Sequence, residues 1–259
     1  MAPVKPWLVA HRGAMAEAPE NTRAAFDRAL SYPVDGIELD VQSSSDGVPV
    51  IYHDDTLKKI SGRFRALADY PFEHLAAMDW GQWFSPAYAG ERLVTLEEVF
   101  KSYGARTRLM VEIKPPVRKK HHALYQKLAQ TVAEMMRKLI PADMQENMYV
   151  LSFDPALLTI VREYDPGRHC VLNLSKAVDR ASEWGINMDA LHGAGLHLSR
   201  LSRRFISFCR SHRKMVMTYS CNTRKTIDRA LDLGVDVIMT DDPGGVYDYV
   251  QGSVEDPSH

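Results

Sequence analysis

Short, almost continuous apolar runs alternate with longer amphipathic segments along this chain, and this alternation constrains its fold more than any other feature. Runs that are apolar at successive positions are typical of strands buried on both faces of a parallel sheet, because a half-exposed strand alternates apolar and polar residues. The strand candidates are residues 7–12, 36–41, 49–53, 108–114, 148–153, 169–174, 190–198, 214–220 and 235–241.

The segments between these runs carry apolar residues at three- to four-residue spacing, as a helix with one buried face requires. In the segment 121–140, for example, Leu124, Leu128 and Val132 recur at this spacing. The other helix candidates are residues 22–31, 156–164, 175–185, 202–212 and 223–234. Alternating strands and helices predict a parallel α/β fold. Roughly eight strands in about 250 residues favour a closed (β/α)8 TIM barrel over an open sheet.

One segment interrupts this rhythm. Residues 56–100 contain Trp80 and Trp83 and several prolines and glycines, with little strand pattern. We interpret the segment as a small insertion after the second strand region, ending in a helix that begins at Leu96. The whole chain, residues 1–259, is therefore expected to form a single barrel domain that carries this insertion.

The charge balance of the chain excludes some classes of partner. The formal net charge is −1 and the isoelectric point is about 6.8, so nothing predicts binding to nucleic acid or to an anionic membrane. No apolar run approaches the ~18 residues of a membrane span. With no signal-type apolar segment at the start and three scattered cysteines, a reducing, cytoplasmic location is expected. The helix faces predict no particular oligomeric state.

Two carboxylates occupy a strand that reads as buried. Glu38 and Asp40 lie two residues apart, so they share one face of their strand, and Glu112 and Lys114 repeat this arrangement on a later strand. Buried carboxylates are costly unless positive charge lies between them. Three carboxylates converging at the barrel mouth would form an oxygen-ligand site for a hard cation such as Mg2+, Ca2+ or Mn2+. The alternative is an ion-pair network in which Lys114 or Arg12 neutralises the acids.

Two histidines end apolar runs beside other polar groups. His11 and Arg12 follow the first run, and His53 follows the third. The carboxyl ends of barrel strands line the active-site face, so these side chains are expected there. Two imidazoles can exchange the roles of proton donor and acceptor, because histidine as a residue type titrates near neutral pH. Arg12 offers a planar fork to a phosphate group, and Lys114 offers a point charge.

Three neighbouring polar residues have two interpretations each. Asn21, in the first loop, could face a ligand or cap the following helix, and the cap is favoured, although Thr22 could also cap this helix. Glu20 could bind a metal directly or through water. Asp54 could orient the neighbouring histidine or cap a turn.

Several short motifs occur in the order and spacing of one known family. They are HRG at 11–13, PENT at 19–22, ELDV at 38–41, a DG turn at 46–47, HD at 53–54, EIK at 112–114, LSF at 151–153, YSCN at 219–222 and TDDP at 240–243. Each tripeptide alone is a weak signal. Together they cover essentially the whole chain, which thus resembles the glycerophosphodiester phosphodiesterase family of the bacterial, cytoplasmic type.

The resemblance implies an enzyme with a small-molecule substrate. Family members hydrolyse glycerophosphodiesters to sn-glycerol 3-phosphate and an alcohol on a (β/α)8 barrel with one divalent cation. By analogy with the family, Glu38, Asp40 and Glu112 match the ligands of this cation, which would be Mg2+ or Ca2+, with Mn2+ as a further candidate.

The resemblance also implies roles for the remaining candidates. His11 and His53 match the family's acid–base pair, and Arg12 and Lys114 match its phosphate contacts. Residues 55–62 and the segment that follows look like the family's insertion, which shapes the alcohol-binding side.

The chain departs from the family pattern at a few positions, and these bear on the choice of substrate. Family members often carry an arginine and threonines after the DxTL motif, where this chain has residues 58–61, and tryptophan where it has Tyr219. Two alternative functions stay open. One is a lysophospholipase D-type phosphodiesterase acting on lysolipids, and the other is a non-catalytic module that binds phosphoesters.

Overall fold

Eight parallel strands close into a barrel. The computed structural model describes residues 5–178 and 180–255. The barrel order is β1-β2-β4-β5-β6-β7-β8-β9, and the β9–β1 pair closes it. The closed barrel confirms the predicted fold class. The strands are β1 (Trp7–His11), β2 (Gly36–Ser43), β3 (Pro49–Ile51), β4 (Arg108–Ile113), β5 (Met148–Ser152), β6 (His169–Leu174), β7 (Gly193–His197), β8 (Met215–Tyr219) and β9 (Val237–Thr240).

Helices cover the outside of the barrel. Their apolar faces pack on the outward-facing strand residues, for example Phe26 and Phe100 in the same core as Leu39 and Val111. No helix in the described part of the chain has the length and apolar character needed to cross a membrane. The helices are α1 (Arg23–Ala29), α2 (Lys58–Ser61), α3 (Phe72–Ala76), α4 (Leu96–Tyr103), α5 (His122–Leu139), α6 (Pro155–Tyr164), α7 (Arg203–Ser211), α8 (Arg224–Leu233) and α9 (Pro243–Glu255).

The run at 49–53 is a strand, but its predicted place in the parallel sheet is wrong. β3 pairs antiparallel with β2, outside the barrel order. The reason is the short connection, a turn in which the Ser44 amide donates to the Val48 carbonyl at 3.0 Å and Gly47 has φ of +87°. A parallel neighbour needs a crossover of about a dozen residues, which this connection does not provide.

The helix predicted at 175–185 is also wrong for the described residues of that segment, which exclude residue 179. The structure has a single 3-10 turn, Ala181–Trp184, ending at Gly185 in the left-handed region with φ of +68°. Val178 and Trp184 are nevertheless buried in the main core. The apolar residues of this segment therefore pack against the barrel as predicted. A tight turn brings them there, and no α-helix is needed.

The insertion has a small core of its own. It follows β3, contains α2 and α3, and ends at α4, which begins at Leu96 as predicted. Trp80 is buried in this core, with the centroid of its ring 5.3 Å from that of Tyr52 and its Nε1 donating to the Leu75 carbonyl at 2.9 Å. The buried residues of this core are Val50, Tyr52, Leu57, Leu67, Tyr70, Leu75, Trp80 and Leu93.

The interior of the barrel is apolar below its carboxyl end. Val9, Met110, Tyr149 and Met217 belong to a cluster that fills it. His11 shares the inward face with Val9, because side chains two residues apart point the same way. Inward-facing polar side chains therefore collect at the carboxyl ends of the strands, above this apolar layer.

Candidate active site

Strand register brings the three predicted carboxylates together. Asp40 on β2 lies opposite Glu112 on β4, and Glu38 lies opposite His11 on β1. The side chains of Glu38, Asp40 and Glu112 are buried, and each offers a carboxylate oxygen within 4.8 Å of the others. A set of oxygen donors at this spacing suits a hard divalent cation.

Two cations lie against these carboxylates. Lys114 Nζ is 2.8 Å from Glu112 Oε1 and 3.4 Å from Asp40 Oδ1. Arg12 Nε is 3.3 Å from Asp40 Oδ2, and the Arg12 amide donates to Glu38 Oε2 at 3.1 Å. The ion-pair network considered from the sequence is therefore present around the carboxylate cluster.

The network leaves part of the negative charge uncompensated. Burial raises the pKa of Glu38 well above its ordinary value, and the charges of Asp40 and Glu112 raise it further. Burial likewise raises the pKa of Glu112, with Asp40 adding to the shift. Burial also opposes ionisation of Asp40, but Lys114 and Arg12 outweigh it and hold its pKa below the usual range. A bound cation would favour the charged forms of both glutamates, so the donor set fits a divalent ion.

His11 is oriented by residues that the sequence analysis did not select. Its Nδ1 lies 2.6 Å from Asp241 Oδ1, and its Nε2 lies 3.9 Å from Glu38 Oε2. Asn222 donates to Asp241 Oδ2 at 2.6 Å and accepts from the Asp241 amide at 2.9 Å. Burial raises the pKa of Asp241, but the hydrogen bond and charge of His11, together with the hydrogen bond from Asn222, outweigh it, so the pKa is lowered. The sequence signal that could have identified Asn222 and Asp241 as site residues was their position in the YSCN and TDDP motifs.

His53 is oriented by its neighbour in sequence. Its Nδ1 lies 2.9 Å from Asp54 Oδ1, which favours the orienting interpretation of Asp54 over the turn cap. Burial raises the pKa of Asp54, but the His53 hydrogen bond and the charge of Lys59 outweigh it and lower this pKa to about 2.

Asn21 and Glu20, in the first loop, form hydrogen bonds and ion pairs with residues of the site. Thr22 caps α1, so the cap predicted for Asn21 is wrong. Asn21 instead donates from Nδ2 to Asp40 Oδ2 at 2.9 Å and accepts from the Asp40 amide at 3.2 Å. Glu20 lies beside two cations, with Oε1 3.2 Å from Arg12 Nη1 and 2.9 Å from Lys59 Nζ.

Asn173 is a further site residue that sequence reasoning missed. Its Nδ2 donates to Glu112 Oε2 at 2.9 Å from the inward face of β6. Gly195 lies opposite Asn173 on β7, and a Cβ at that position would lie 2.1 Å from Asn173 Oδ1. A lone asparagine in an apolar strand carried no signal that distinguished it from a packed core residue.

The predicted site residues line one cavity of about 200 Å³ at the carboxyl end of the barrel. Asn173 and Tyr219 line the same cavity. Active sites of TIM-barrel enzymes lie at this end of the barrel. The polar cavity, on which carboxylates, cations and histidines converge, therefore places this chain in the class of TIM-barrel enzymes. The predicted residues that line it are His11, Arg12, Glu38, Asp40, His53, Glu112 and Lys114.

Comparisons with known proteins identify the family. The glycerophosphoryl diester phosphodiesterase family model matches residues 11–245, and the chain belongs to this family. The Bacillus subtilis protein YhdW is 31% identical over 92% of this chain and 95% of its own length. A glycerophosphodiester phosphodiesterase of Caldanaerobacter subterraneus is 29% identical over 93% of this chain and 96% of its own.

Solved structures have the same fold. A phosphodiesterase of Oleispira antarctica, in complex with the product sn-glycerol-3-phosphate, superposes with a TM-score of 0.83 at 25% identity and covers 97% of both chains. A glycerophosphodiester phosphodiesterase of Agrobacterium tumefaciens superposes with a TM-score of 0.75 at 24% identity, over 94% of this chain and 100% of its own.

Proposed function

We propose that this chain hydrolyses glycerophosphodiesters to sn-glycerol 3-phosphate and an alcohol such as choline, ethanolamine or glycerol, with a divalent cation and two histidines. The observation that carries the proposal is the convergence of three carboxylates, two cations and two carboxylate-anchored histidines on one cavity. The names of the relatives and the product bound to the Oleispira antarctica phosphodiesterase support this substrate class.

Glu38, Asp40 and Glu112 would hold the cation, Mg2+ or Ca2+, with Mn2+ as a further candidate. The burial of the three side chains, their mutual spacing and the raised pKa values of both glutamates support this assignment. When bound, the cation supplies Lewis-acid polarisation of a phosphoryl oxygen.

Arg12 and Lys114 bind the phosphoryl group. Both cationic groups lie at the carboxylate cluster and line the same cavity, so a diester seated there meets two positive charges. They stabilise the negative charge that develops on the phosphoryl oxygens in the transition state. Asn21 and Glu20 keep Asp40 and the Arg12 guanidinium in place.

His11 and His53 move the protons. Each imidazole has Nδ1 at a carboxylate, Asp241 for His11 and Asp54 for His53, which leaves Nε2 as the atom that takes or gives a proton. One Nε2 deprotonates the nucleophile, either water or the 2-hydroxyl of the substrate. Attack by the 2-hydroxyl gives a cyclic phosphate, which water then hydrolyses to sn-glycerol 3-phosphate. The other protonates the leaving alcohol, so that the diester P–O bond breaks without expelling an alkoxide.

The direct test is the release of sn-glycerol 3-phosphate from glycerophosphocholine, glycerophosphoethanolamine and glycerophosphoglycerol. The release of choline from lysophosphatidylcholine, which leaves lysophosphatidic acid, is measured in parallel. The proposal predicts turnover of the three water-soluble diesters with Mg2+, Ca2+ or Mn2+ supplied in turn. Turnover of the lysolipid alone would favour the lysophospholipase D-type function. Binding of the diesters without turnover under any cation would favour the non-catalytic module.

A further inference from the structure

A lysine of the insertion connects the two halves of the site. Lys59, on α2, has its Nζ 2.9 Å from Glu20 Oε1 and 3.1 Å from Asp54 Oδ2. These carboxylates come from different parts of the chain, one from the first loop of the barrel and the other from the segment after β3. The ammonium group therefore lies between two negative charges that no backbone element holds together.

Each of these carboxylates also holds a residue that lines the cavity. Glu20 Oε1 lies 3.2 Å from Arg12 Nη1, and Asp54 Oδ1 lies 2.9 Å from His53 Nδ1. The result is an unbroken ionic chain that runs Arg12–Glu20–Lys59–Asp54–His53. Its ends are the proposed phosphate contact and one of the two proposed proton-transfer groups.

We propose that Lys59 is a positioning residue of the active site, which holds the Arg12 guanidinium and the His53 imidazole in their working orientation through Glu20 and Asp54. The inference rests on the proposed function, because it assigns Lys59 a role in that reaction. It also makes the insertion a part of the catalytic apparatus, although none of the insertion residues that the structure describes lines the cavity itself.

Electrostatics require a cation at this position. Glu20, His53 and Asp54 each offer a ligand atom within 4.8 Å of the others, a spacing at which two carboxylates repel strongly. The spacing alone would also suit a metal ion, but the Lys59 ammonium already lies in contact with both carboxylates. Without it, Glu20 and Asp54 would move apart and carry Arg12 and His53 with them.

The insertion fixes the ammonium group from its other side. Lys59 Nζ lies 4.7 Å from the centroid of the Trp83 ring, within the range of a cation–π contact. The Trp83 ring is itself held by a 2.9 Å hydrogen bond from Nε1 to the Trp80 carbonyl, in the small core of the insertion. Lys59 is half-buried, so solvent screens these interactions less than it would at the surface.

The preceding residue provides a matched control. Lys58 carries the same charge on the same short helix, but its side chain is exposed and lies over the exposed Phe64 ring at 5.1 Å. Its ammonium group contributes to the net charge of this surface without an ion pair to the carboxylates at 20 and 54. A change at residue 58 therefore separates the effect of lost charge from the effect of lost position.

The test compares Lys59→Met, Lys59→Arg and Lys58→Met by the release of sn-glycerol 3-phosphate from glycerophosphoethanolamine. Methionine keeps an aliphatic stem over Trp83 and removes the charge. We expect Lys59→Met to lower kcat by about 10- to 100-fold, as misplacement of reacting groups typically does. Lys58→Met should leave kcat unchanged, because in the structure Lys58 lies over the exposed Phe64 ring and does not line the cavity. Lys59→Arg should recover most of the rate, because a guanidinium can donate to both carboxylates.

Two kinetic results would overturn the proposal. A lower melting temperature for Lys59→Met with unchanged kcat would make Lys59 a structural residue only. A raised KM with unchanged kcat would make it a direct contact to the substrate.

A second readout keeps the proposal separate from the proposed function. Nitrogen-15 NMR of the histidine side chains reports whether His53 Nδ1 keeps its hydrogen bond to Asp54. We expect Lys59→Met to change this signal and Lys58→Met to leave it as in the parent protein. If the parent protein turned over no diester, the reaction would be disproved while the NMR comparison still tested the position of His53. An unchanged His53 signal in Lys59→Met would refute the positioning role directly.

Discussion

The two histidines of the cavity are arranged alike, each with Nδ1 at a carboxylate, and we propose that Nε2 of each transfers a proton. We expect His11→Ala and His53→Ala each to lower the rate of diester hydrolysis by ~10² to 10⁴-fold, the usual contribution of a positioned acid or base. Initial rates on a diester with a poor leaving group measure this, with circular dichroism as a check on the fold. Near-full activity in either variant would remove that histidine from the mechanism.

The close approach of Asn173 to Gly195 leads us to predict that a side chain at residue 195 weakens metal binding. In Gly195→Ala the new Cβ collides with Asn173 Oδ1, which displaces the donor that holds Glu112 Oε2. Loss of such a supporting contact weakens metal binding by about 10- to 100-fold, and calorimetric titration with Mg2+ or Ca2+ measures it.

The control for this effect is Gly167→Ala. At Gly167 the nearest atom would lie 4.0 Å from a new Cβ, so this variant should bind metal normally. Equal affinity in the two variants would show that Asn173 does not support Glu112.

Which site residues the sequence predicted depended on how unusual each residue was in its surroundings. Glu38 and Asp40 were predictable because carboxylates inside a buried strand demand compensation. Asp241 and Asn173 were not, because a polar residue in a loop or a single amide in a strand is ordinary. Their roles follow from strand closure and register, which bring together segments far apart in the chain.

At the scale of elements, the helix that ends the insertion depends on its first turn. Thr95 caps α4 in a reciprocal arrangement, in which its Oγ1 accepts from the Glu98 amide at 3.2 Å and the Glu98 carboxylate accepts from the Thr95 amide at 2.9 Å. We expect Thr95→Ala to lower the free energy of unfolding by about 1 kcal/mol. Urea denaturation measures the change.

Thr159→Ala is the matched control for the cap. Thr159 is exposed in the interior of α6, where its hydroxyl donates to the carbonyl of Pro155 in the same helix. Alanine favours a helix interior, so this change should cost little or nothing. A loss as large as that of Thr95→Ala would mean that the capping arrangement is not the source of the effect.

The positions of the strands were easier to predict from the sequence than the pairing of each strand with its neighbours. A buried apolar run identifies a strand locally, and a strand coincides with each predicted run, although β2 continues beyond its run to Ser43. The direction of pairing depends on the connection, and the short turn at 44–48 makes β3 antiparallel. The segment 175–185 shows the converse limit, since Val178 and Trp184 are buried in the main core although the segment forms a 3-10 turn and not the predicted helix.

At the scale of the whole molecule, a histidine at the amino end of the barrel makes stability depend on pH. Burial lowers the pKa of His169; Glu146 opposes this shift and Arg168 adds to it. The ring packs against those of Tyr149 and His192, with centroids 4.9 and 4.2 Å away. Its pKa is lower in the folded chain, so just below pH ~6.5 the unfolded chain binds more protons and stability falls as the pH drops.

Replacing this histidine tests the direction of the effect. Melting temperatures recorded between about pH 7.5 and about pH 5.5 should fall less in His169→Gln than in the parent protein, because the titrating group is gone. His212→Gln, at an exposed position after α7, should keep the parental slope. A parental slope in His169→Gln would exclude His169 as a source of the acid sensitivity.

We propose that one divalent cation, held by the three carboxylates, is required for diester hydrolysis. The most direct measurement follows metal binding and release of sn-glycerol 3-phosphate together, as a divalent cation is titrated into EDTA-treated protein. We expect binding at one site and turnover to rise in parallel. Glu38→Gln should lose both, while Glu163→Gln, at an exposed glutamate on α6, should keep both. Full turnover in EDTA, or unchanged binding in Glu38→Gln, would contradict the claim.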